Sequence, residues 1–482
     1  MNGEKKRHGF QLGEFQIPEI PDYVIAELRY DSSVAIEPSG KLFAPRAAEP
    51  RANEINQVLS RFALKRVGPH FDLSETKLAF RTRAIALPRA KVSADFAQSG
   101  FMQIIPKNPK DAPKIVQQLR KSKSVWKAYI APRPVPAGAP DGTSTGSRNF
   151  EPAQGYMHSP PNGIGAMELW GIKGAKGGGV TICDIEGNWN YRHEDLPKGI
   201  PLLGGTLINS LDWRNHGTAV LGEMVSRVSV FGTVGIVHEA KAVTHSAVIN
   251  GVFNAAGAIS AGAAKLKAGD VILIELQATG PNGKYVAMQY WNDIFSAIRS
   301  ATRKGITVVE AAGNGDENFD LPVFNGTGLQ KDSGAIVVGA GVPPTNLFDY
   351  FAFPGFPRYS KIGVPRSRIW FSNYGKIVNV QGWGWHVTTL GYGDAQGGTD
   401  EKKWYTHRFS GTSSASPIVT GAVACIQGVA KAKLGAPLPP AKVRAILIKT
   451  GTPQQAGTGY PLTQHIGPLP NLVKAAKLAR LT

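Results

Sequence analysis

Four short apolar runs constrain this chain more than anything else in it: Gly179-Val-Thr-Ile-Cys183, Val271-Ile-Leu-Ile-Glu-Leu276, Ile306-Thr-Val-Val309 and Ala335-Ile-Val-Val338. They do not alternate apolar with polar, as a strand with one wet face does. Near-continuous apolar strands are those covered on both faces. A helical stretch, Val286 to Lys304, lies between two of them. Strands alternating with helices predict an α/β fold of three layers, a mostly parallel sheet with helices on both faces. In such sheets the chemistry gathers at the carboxyl ends of the strands.

The run Ala131-Pro-Arg-Pro-Val-Pro-Ala-Gly-Ala-Pro-Asp-Gly-Thr-Ser-Thr-Gly-Ser147 reads as an exposed linker. It divides the sequence into an unassigned N-terminal extension at 1–60, a small α+β domain at 61–131, the linker at 132–150 and a main domain at 151–482. In the small domain Phe101-Met-Gln-Ile-Ile105 and Val125-Trp-Lys-Ala-Tyr-Ile130 read as strands. Asp111 to Lys121 reads as a helix between them, with Ile115, Val116 and Leu119 on one face.

The formal net charge is +19. It is spread out, +10 over residues 1–150 (24 Lys and Arg, 14 Asp and Glu) and +9 over the remainder (30 against 21). No basic stripe or recognised module points to nucleic acid. Two cysteines, Cys183 and Cys425, are too few to staple a fold and sit in apolar surroundings, so both are expected as buried free thiols. No apolar run approaches the ~20 residues of a spanning helix. The polar start Met1-Asn-Gly-Glu-Lys-Lys-Arg-His8 lacks the apolar stretch of a signal peptide. The expectation is a protein without a membrane span, cytoplasmic or secreted without a classical signal peptide.

The strongest chemical signal is Gly411-Thr-Ser-Ser-Ala-Ser-Pro417, followed by the apolar helical run Ile418 to Val429. Ser413 is placed at a helix start, where the positive end of the dipole stabilises a developing anion and its own N–H can donate to it. Pro417 is read in the first turn, where a missing N–H costs little. Small neighbours let a peptide approach.

This segment resembles the nucleophile motif Gly-Thr-Ser-x-Ala-x-Pro of the subtilisin-like serine proteases. Asn215-His-Gly-Thr-Ala-Val220 is similar to their His motif. The resemblance makes His216 the base that a weak serine nucleophile needs. Asp184, ending its strand and followed by His193-Glu-Asp-Leu196, resembles the Asp motif and would orient His216. The usual Asp-Ser/Thr-Gly reads Asp184-Ile-Glu-Gly187 here, with a slightly longer loop. Glu186 is a second acid near His216 or, the favoured reading, a surface carboxylate; Asp195 is a weaker choice because it ends no strand. Ala311-Ala-Gly-Asn-Gly315 matches the oxyanion segment, so the Asn314 amide would donate to the tetrahedral intermediate. The order Asp, His, Asn, Ser is that of subtilisin, the handiest example of this chain order.

The resemblance covers about 165–482 and implies a subtilisin-like fold and an endopeptidase acting through an acyl-enzyme. Gln277-Ala-Thr-Gly280 takes the place of the strand that pairs with substrate backbone. Phe371-Ser-Asn-Tyr-Gly375 and Pro440 to Leu447 are softer matches. An apparent insertion at 342–370 holds Phe348, Tyr350, Phe351, Phe353, Phe356, Arg358, Tyr359, Lys361, Arg366 and Arg368, a substrate rim or, more simply, a self-covering loop. Ser414 stands where many relatives carry an oxidisable Met, which predicts peroxide tolerance. The domain at 61–131 resembles the strand-helix-strand part of subtilisin propeptides, which act as chaperone and intramolecular inhibitor; a permanent accessory domain is the alternative. The expected partners are protein or peptide substrates and the chain's own N-terminal domain. Catalysis needs no cofactor; the family often holds structural Ca²⁺, but no Asp-x-Asp-x-Asp-Gly run points to it here, and no His/Cys cluster points to zinc. A peptide ligase with the same core, or a scaffold with a decayed site, are the competing functions. All required residue types being present argues against decay.

Overall fold

A computed structural model describes residues 22–29, 35–36, 42–43, 49–71, 100–134, 148–344 and 363–481. Most of the linker and most of the 342–370 insertion lie outside these residues. So do residues 72–99 of the small domain and much of the N-terminal extension.

The main domain is built on a six-stranded sheet. Its order is Val378–Trp383, Ile336–Gly341, Thr307–Ala311, Val271–Ile274, Thr181–Glu186, Lys241–Ser246, and every neighbouring pair is parallel. All four apolar runs are strands of it. The period-two rule sorts their side chains between two cores. Ile182, Val271, Leu273 and Val309 face a core that holds the helices Leu211–Val225 and Thr412–Leu434. Cys183, Ile185, Ile272, Ile274 and Val308 face the other, against the helices Ala255–Lys265 and Asn292–Arg303. Cys183 and Cys425 are buried and free. Burial pushes the Cys425 thiol up to about 12.

Three local expectations are corrected. The helix expected from Val286 begins only at Asn292, because Tyr285–Ala287 is a strand and Met288–Tyr290 a 3₁₀ turn. Pro417 is not in the first turn: the helix starts at Thr412, so proline is its sixth residue and leaves the Ser413 carbonyl without its usual i+4 donor. That helix, Thr412–Leu434, is also long and apolar enough to cross a bilayer, against the expectation of no such run. Its residues Thr412 to Ala430 are all buried, and they run through the core of the main domain.

The small domain starts well before residue 61. Its four-stranded antiparallel sheet runs Leu64–Pro69, Phe101–Pro106, Val24–Leu28, Val125–Ile130, so the segment assigned to an extension supplies a central strand. With the helices Glu49–Leu59 and Ala112–Leu119 the chain order is β-α-β-β-α-β, a split βαβ arrangement. One sheet face, through Val24, Ala26, Leu28, Met102 and Ile104, packs on those helices. The other, through Tyr23, Ile25, Phe71, Phe101 and Ile105, joins the main domain's core beside Phe253 and Met288. Both faces are therefore covered, and all five residues of Val24–Leu28 are buried.

Candidate active site

The strand Thr181–Glu186 runs three residues past Cys183, and this extension decides the site. Asp184 and Glu186, two apart, point to the same face, the one shared with the His216 and Ser413 helices. Glu186, at the carboxyl end, reaches the imidazole: its Oε1 is bonded to His216 Nδ1. Asp184 instead accepts from Trp189 Nε1 at 2.7 Å. The sequence reading that put Asp184 on His216, with Glu186 at the surface, is corrected: Glu186 has no exposed surface at all. Asp195 lies elsewhere, accepting from the Thr233 N–H at 2.7 Å and pinning a neighbouring loop.

Glycine makes the Glu186 contact geometrically open. A Cβ on Gly217, the residue after His216, would come within 2.4 Å of Glu186 Oε2 and 2.3 Å of the Asn188 carbonyl oxygen. A Cβ on Gly187 would strike the Trp213 ring at 2.3 Å. The His-Gly and Glu-Gly pairs are therefore what lets helix and strand meet.

Ser413 is the second residue of its helix, after Gly411 at φ 104°. The side-chain oxygen of Asn314 accepts from the Thr412 N–H at 2.9 Å and from its hydroxyl at 3.0 Å. This fixes the orientation of the amide, with its oxygen bonded to the first residue of the Ser413 helix. The Asn314 N–H in turn donates to Gln277 Oε1 at 2.7 Å, so the expected substrate strand braces the expected oxyanion residue. That strand, Gln277–Thr279, pairs on one edge with Tyr285–Ala287. Within it Gln277 and Ala278 are buried and Thr279 exposed, while Gly280 closes the hairpin by donating to Lys284. Sequence reasoning missed this hairpin because Val286 was absorbed into the helical period that follows it.

The site is dry. Ser413, His216 and Glu186 have no exposed surface, and Asn314 has 6%. The edge of Phe409, 5.4 Å from His216 between ring centres, lies against the imidazole. Burial pushes the Glu186 and Asp184 carboxyls up and the His216 imidazole down to about 3. For Asp184 the Glu186 charge adds to the rise and Trp189 opposes it. Low dielectric disfavours both ions of the Glu186–His216 pair, so burial works against the charged form of each. Ser413 Oγ and His216 Nε2 are buried and make no hydrogen bond. They are the two valences a reacting group would engage.

Ser414 sends its hydroxyl to the Trp383 and Gly411 carbonyls. Arg366 and Arg368 of the insertion are described, and Arg368 is buried, bonded to Asp316 and flanked by the Tyr374 and Tyr460 rings. The aromatic residues 348–359 and Lys361 lie outside the described residues.

The sequence profile of the subtilase family matches residues 177–465, which is more than half of the chain. The chain belongs to the subtilase family. It is accordingly a serine-type endopeptidase of the subtilisin-like kind, with protein or peptide substrates. No curated protein matches it. Among solved structures it is similar to fervidolysin from Fervidobacterium pennivorans, a keratinolytic enzyme related to subtilisin, at 15% identity and a TM-score of 0.52. That likeness covers 95% of this chain, which spans 61% of fervidolysin's length. A protease from Pseudoalteromonas arctica PAMC 21717 is similar over 70% of this chain and 100% of its own, at 18% identity and a TM-score of 0.47.

Proposed function

We infer that this subtilase cleaves peptide bonds with Ser413 as nucleophile, His216 as general base and acid, and Glu186 as the acid that orients it. The observation that carries this reading is the buried Glu186–His216 bond, which leaves only Nε2 of the imidazole for the serine. His216 takes the Ser413 proton as Oγ attacks the scissile carbonyl, and returns it to the leaving amine. Glu186 fixes the tautomer and balances the imidazolium. The Asn314 amide and the Ser413 N–H, at the start of the helix, donate to the oxyanion. Water then releases the acyl group. Every group in this sequence is a side chain or backbone N–H of the chain, so the reaction runs without a cofactor.

The small domain serves as an intramolecular inhibitor. Three observations support this. Its Tyr23 hydroxyl donates to the Phe253 carbonyl at 2.5 Å. Its His70 and Tyr129 both bond Asp293, at 2.8 and 2.7 Å, in the first turn of the Asn292–Arg303 helix. The His70 carbonyl accepts from Asn254, the residue that caps the Ala255–Lys265 helix. The domain thus grips the starts of both helices on one side of the sheet, and the nucleophile has no exposed surface.

Incubating the purified chain with casein and a fluorophosphonate probe, beside Ser413→Ala, tests both parts. Cleavage and labelling lost in the variant, with loss of ~15 kDa from the active chain alone, estimated from the linker position, is the expected result. No labelling even after limited proteolysis of residues 1–150 would overturn the reading.

A further inference from the structure

We propose that Glu275 is a positioning residue of the nucleophile, a neutral acid beneath Ser413 whose ionisation withdraws the serine proton from His216 and so sets the alkaline limit of activity. The inference rests on Ser413 being the nucleophile.

Glu275 follows the strand Val271–Ile274 and continues its Val271, Leu273 face, the face of the Ser413 helix. It has no exposed surface. Its Oε1 lies 2.5 Å from Ser416 Oγ, and Ser416 Oγ lies 2.7 Å from the Thr412 carbonyl. A carbonyl can only accept, so the single Ser416 proton goes to Thr412. The short contact to Glu275 then needs a proton of Glu275's own: the carboxyl is neutral and donates to Ser416. Its other oxygen, Oε2, is buried without a partner, and so is Ser413 Oγ.

Electrostatics agrees with the geometry. Burial raises the Glu275 carboxyl well above its usual range. The Ser416 bond lowers it, the Asp184 and Glu186 charges raise it, and Ser413, one helical turn before Ser416, lowers it again. Glu223, from the His216 helix, also faces it. The titratable groups around Glu275 are therefore Asp184, Glu186 and Glu223, all acids, and each opposes a further negative charge there.

Ser413 has one proton and two candidate acceptors with an open valence, Nε2 of its assigned base His216 and Oε2 of Glu275. The carbonyl oxygen of a neutral acid is a weak acceptor, and the imidazole prevails. A carboxylate is a far stronger one. Once Glu275 ionises, the serine proton turns to it, away from the base, and a fixed negative charge also stands beside the developing oxyanion.

The test is the pH dependence of fluorophosphonate labelling of Ser413, from pH 6 to 11, in the chain as purified, Glu275→Gln and Glu275→Leu, with circular dichroism to confirm the fold at each pH. The wild type should lose labelling rate by about tenfold per unit beyond a single alkaline titration. Glu275→Gln, which keeps the donor to Ser416 and cannot ionise, should show no alkaline fall in its own labelling rate over the range where the wild type declines. Glu275→Leu should also lack the limb, and decides the matter if the Gln variant does not fold. A wild type with no alkaline limb, or a limb unchanged in either folded variant, overturns the proposal while Ser413-dependent labelling stands. Absent labelling in the wild type would instead remove the nucleophile assignment on which it rests.

Discussion

Glu186 and His216, thirty residues apart, are bonded side chain to side chain in a site where neither has any exposed surface. Asp184, on the same strand face, spends its bond on Trp189. Glu186→Gln should therefore lower kcat by about 10³–10⁴, the scale seen when a triad acid is made neutral and its base takes the wrong tautomer. Asp184→Asn keeps the Trp189 contact through its oxygen and should stay within about tenfold of the wild type. Steady-state cleavage of one peptide by both variants distinguishes the two acids, and the opposite ranking would restore Asp184 to the triad.

Much of this was legible in the residues. The apolar runs gave a doubly covered parallel sheet, and Gly411–Pro417 and Asn215–Val220 pointed to the residues proposed above as nucleophile and base. The acid was misplaced for a reason of length. Strand ends are the least certain feature of a pattern, and Asp184 looked terminal only because the run Val180–Cys183 was apolar. Two buried carboxyls at a strand's carboxyl end do not look like a strand. The period-two rule places Glu186 on the same face as Asp184 and one step nearer the helix, and Gly187 after it marks a tight approach; those were the available signals. The first strand of the small domain was missed because its partners, at 101–106 and 125–130, lie more than seventy residues away in sequence.

Asn314 offers a second measurement. Its oxygen is held by Thr412 and its backbone by Gln277, so the amide is fixed before substrate arrives. Preorganised donors of this kind contribute to the transition state and little to ground-state binding. Asn314→Ala should lower kcat by about 10²–10³ with KM nearly unchanged. A rise in KM at constant kcat would mean that the residue holds substrate rather than the oxyanion. Gln277→Ala should reproduce part of the loss, since it removes the acceptor that braces the Asn314 backbone.

Asp293 joins the two domains. Its carboxylate accepts from both His70 and Tyr129 of the small domain. Asp293→Ala would leave those two groups buried and unpaired, at ~1–3 kcal/mol each. The domain should then dock less tightly, and labelling of the uncut chain by a fluorophosphonate should rise by about tenfold or more, while the processed enzyme is unaltered. Equal labelling of uncut wild type and variant would show that the interface does not restrain the site.

His407 gives the pH dependence of stability its clearest sign. The ring is buried, bonded to Thr388 Oγ1 at 2.9 Å and set edge-on to Phe150. Burial first, then the charges of Arg148, Arg408 and His386, push it down to about 3. In the unfolded chain it returns to ~6.5. Between these values the unfolded chain binds a proton that the folded one refuses. The contribution is therefore fully present above ~6.5 and is lost as pH falls toward 3, at up to about 1.4 kcal/mol per unit. A glutamine there carries no such term. In a Ser413→Ala background, which prevents self-digestion, His407→Gln should be the less stable protein at pH 7. The gap should close as pH falls through 5.5 to 4.5, measured by urea unfolding. A gap that does not change with pH would mean that His407 takes up a proton as readily in the folded protein as in the unfolded chain, and that the two arginines face it through water rather than across a dry core.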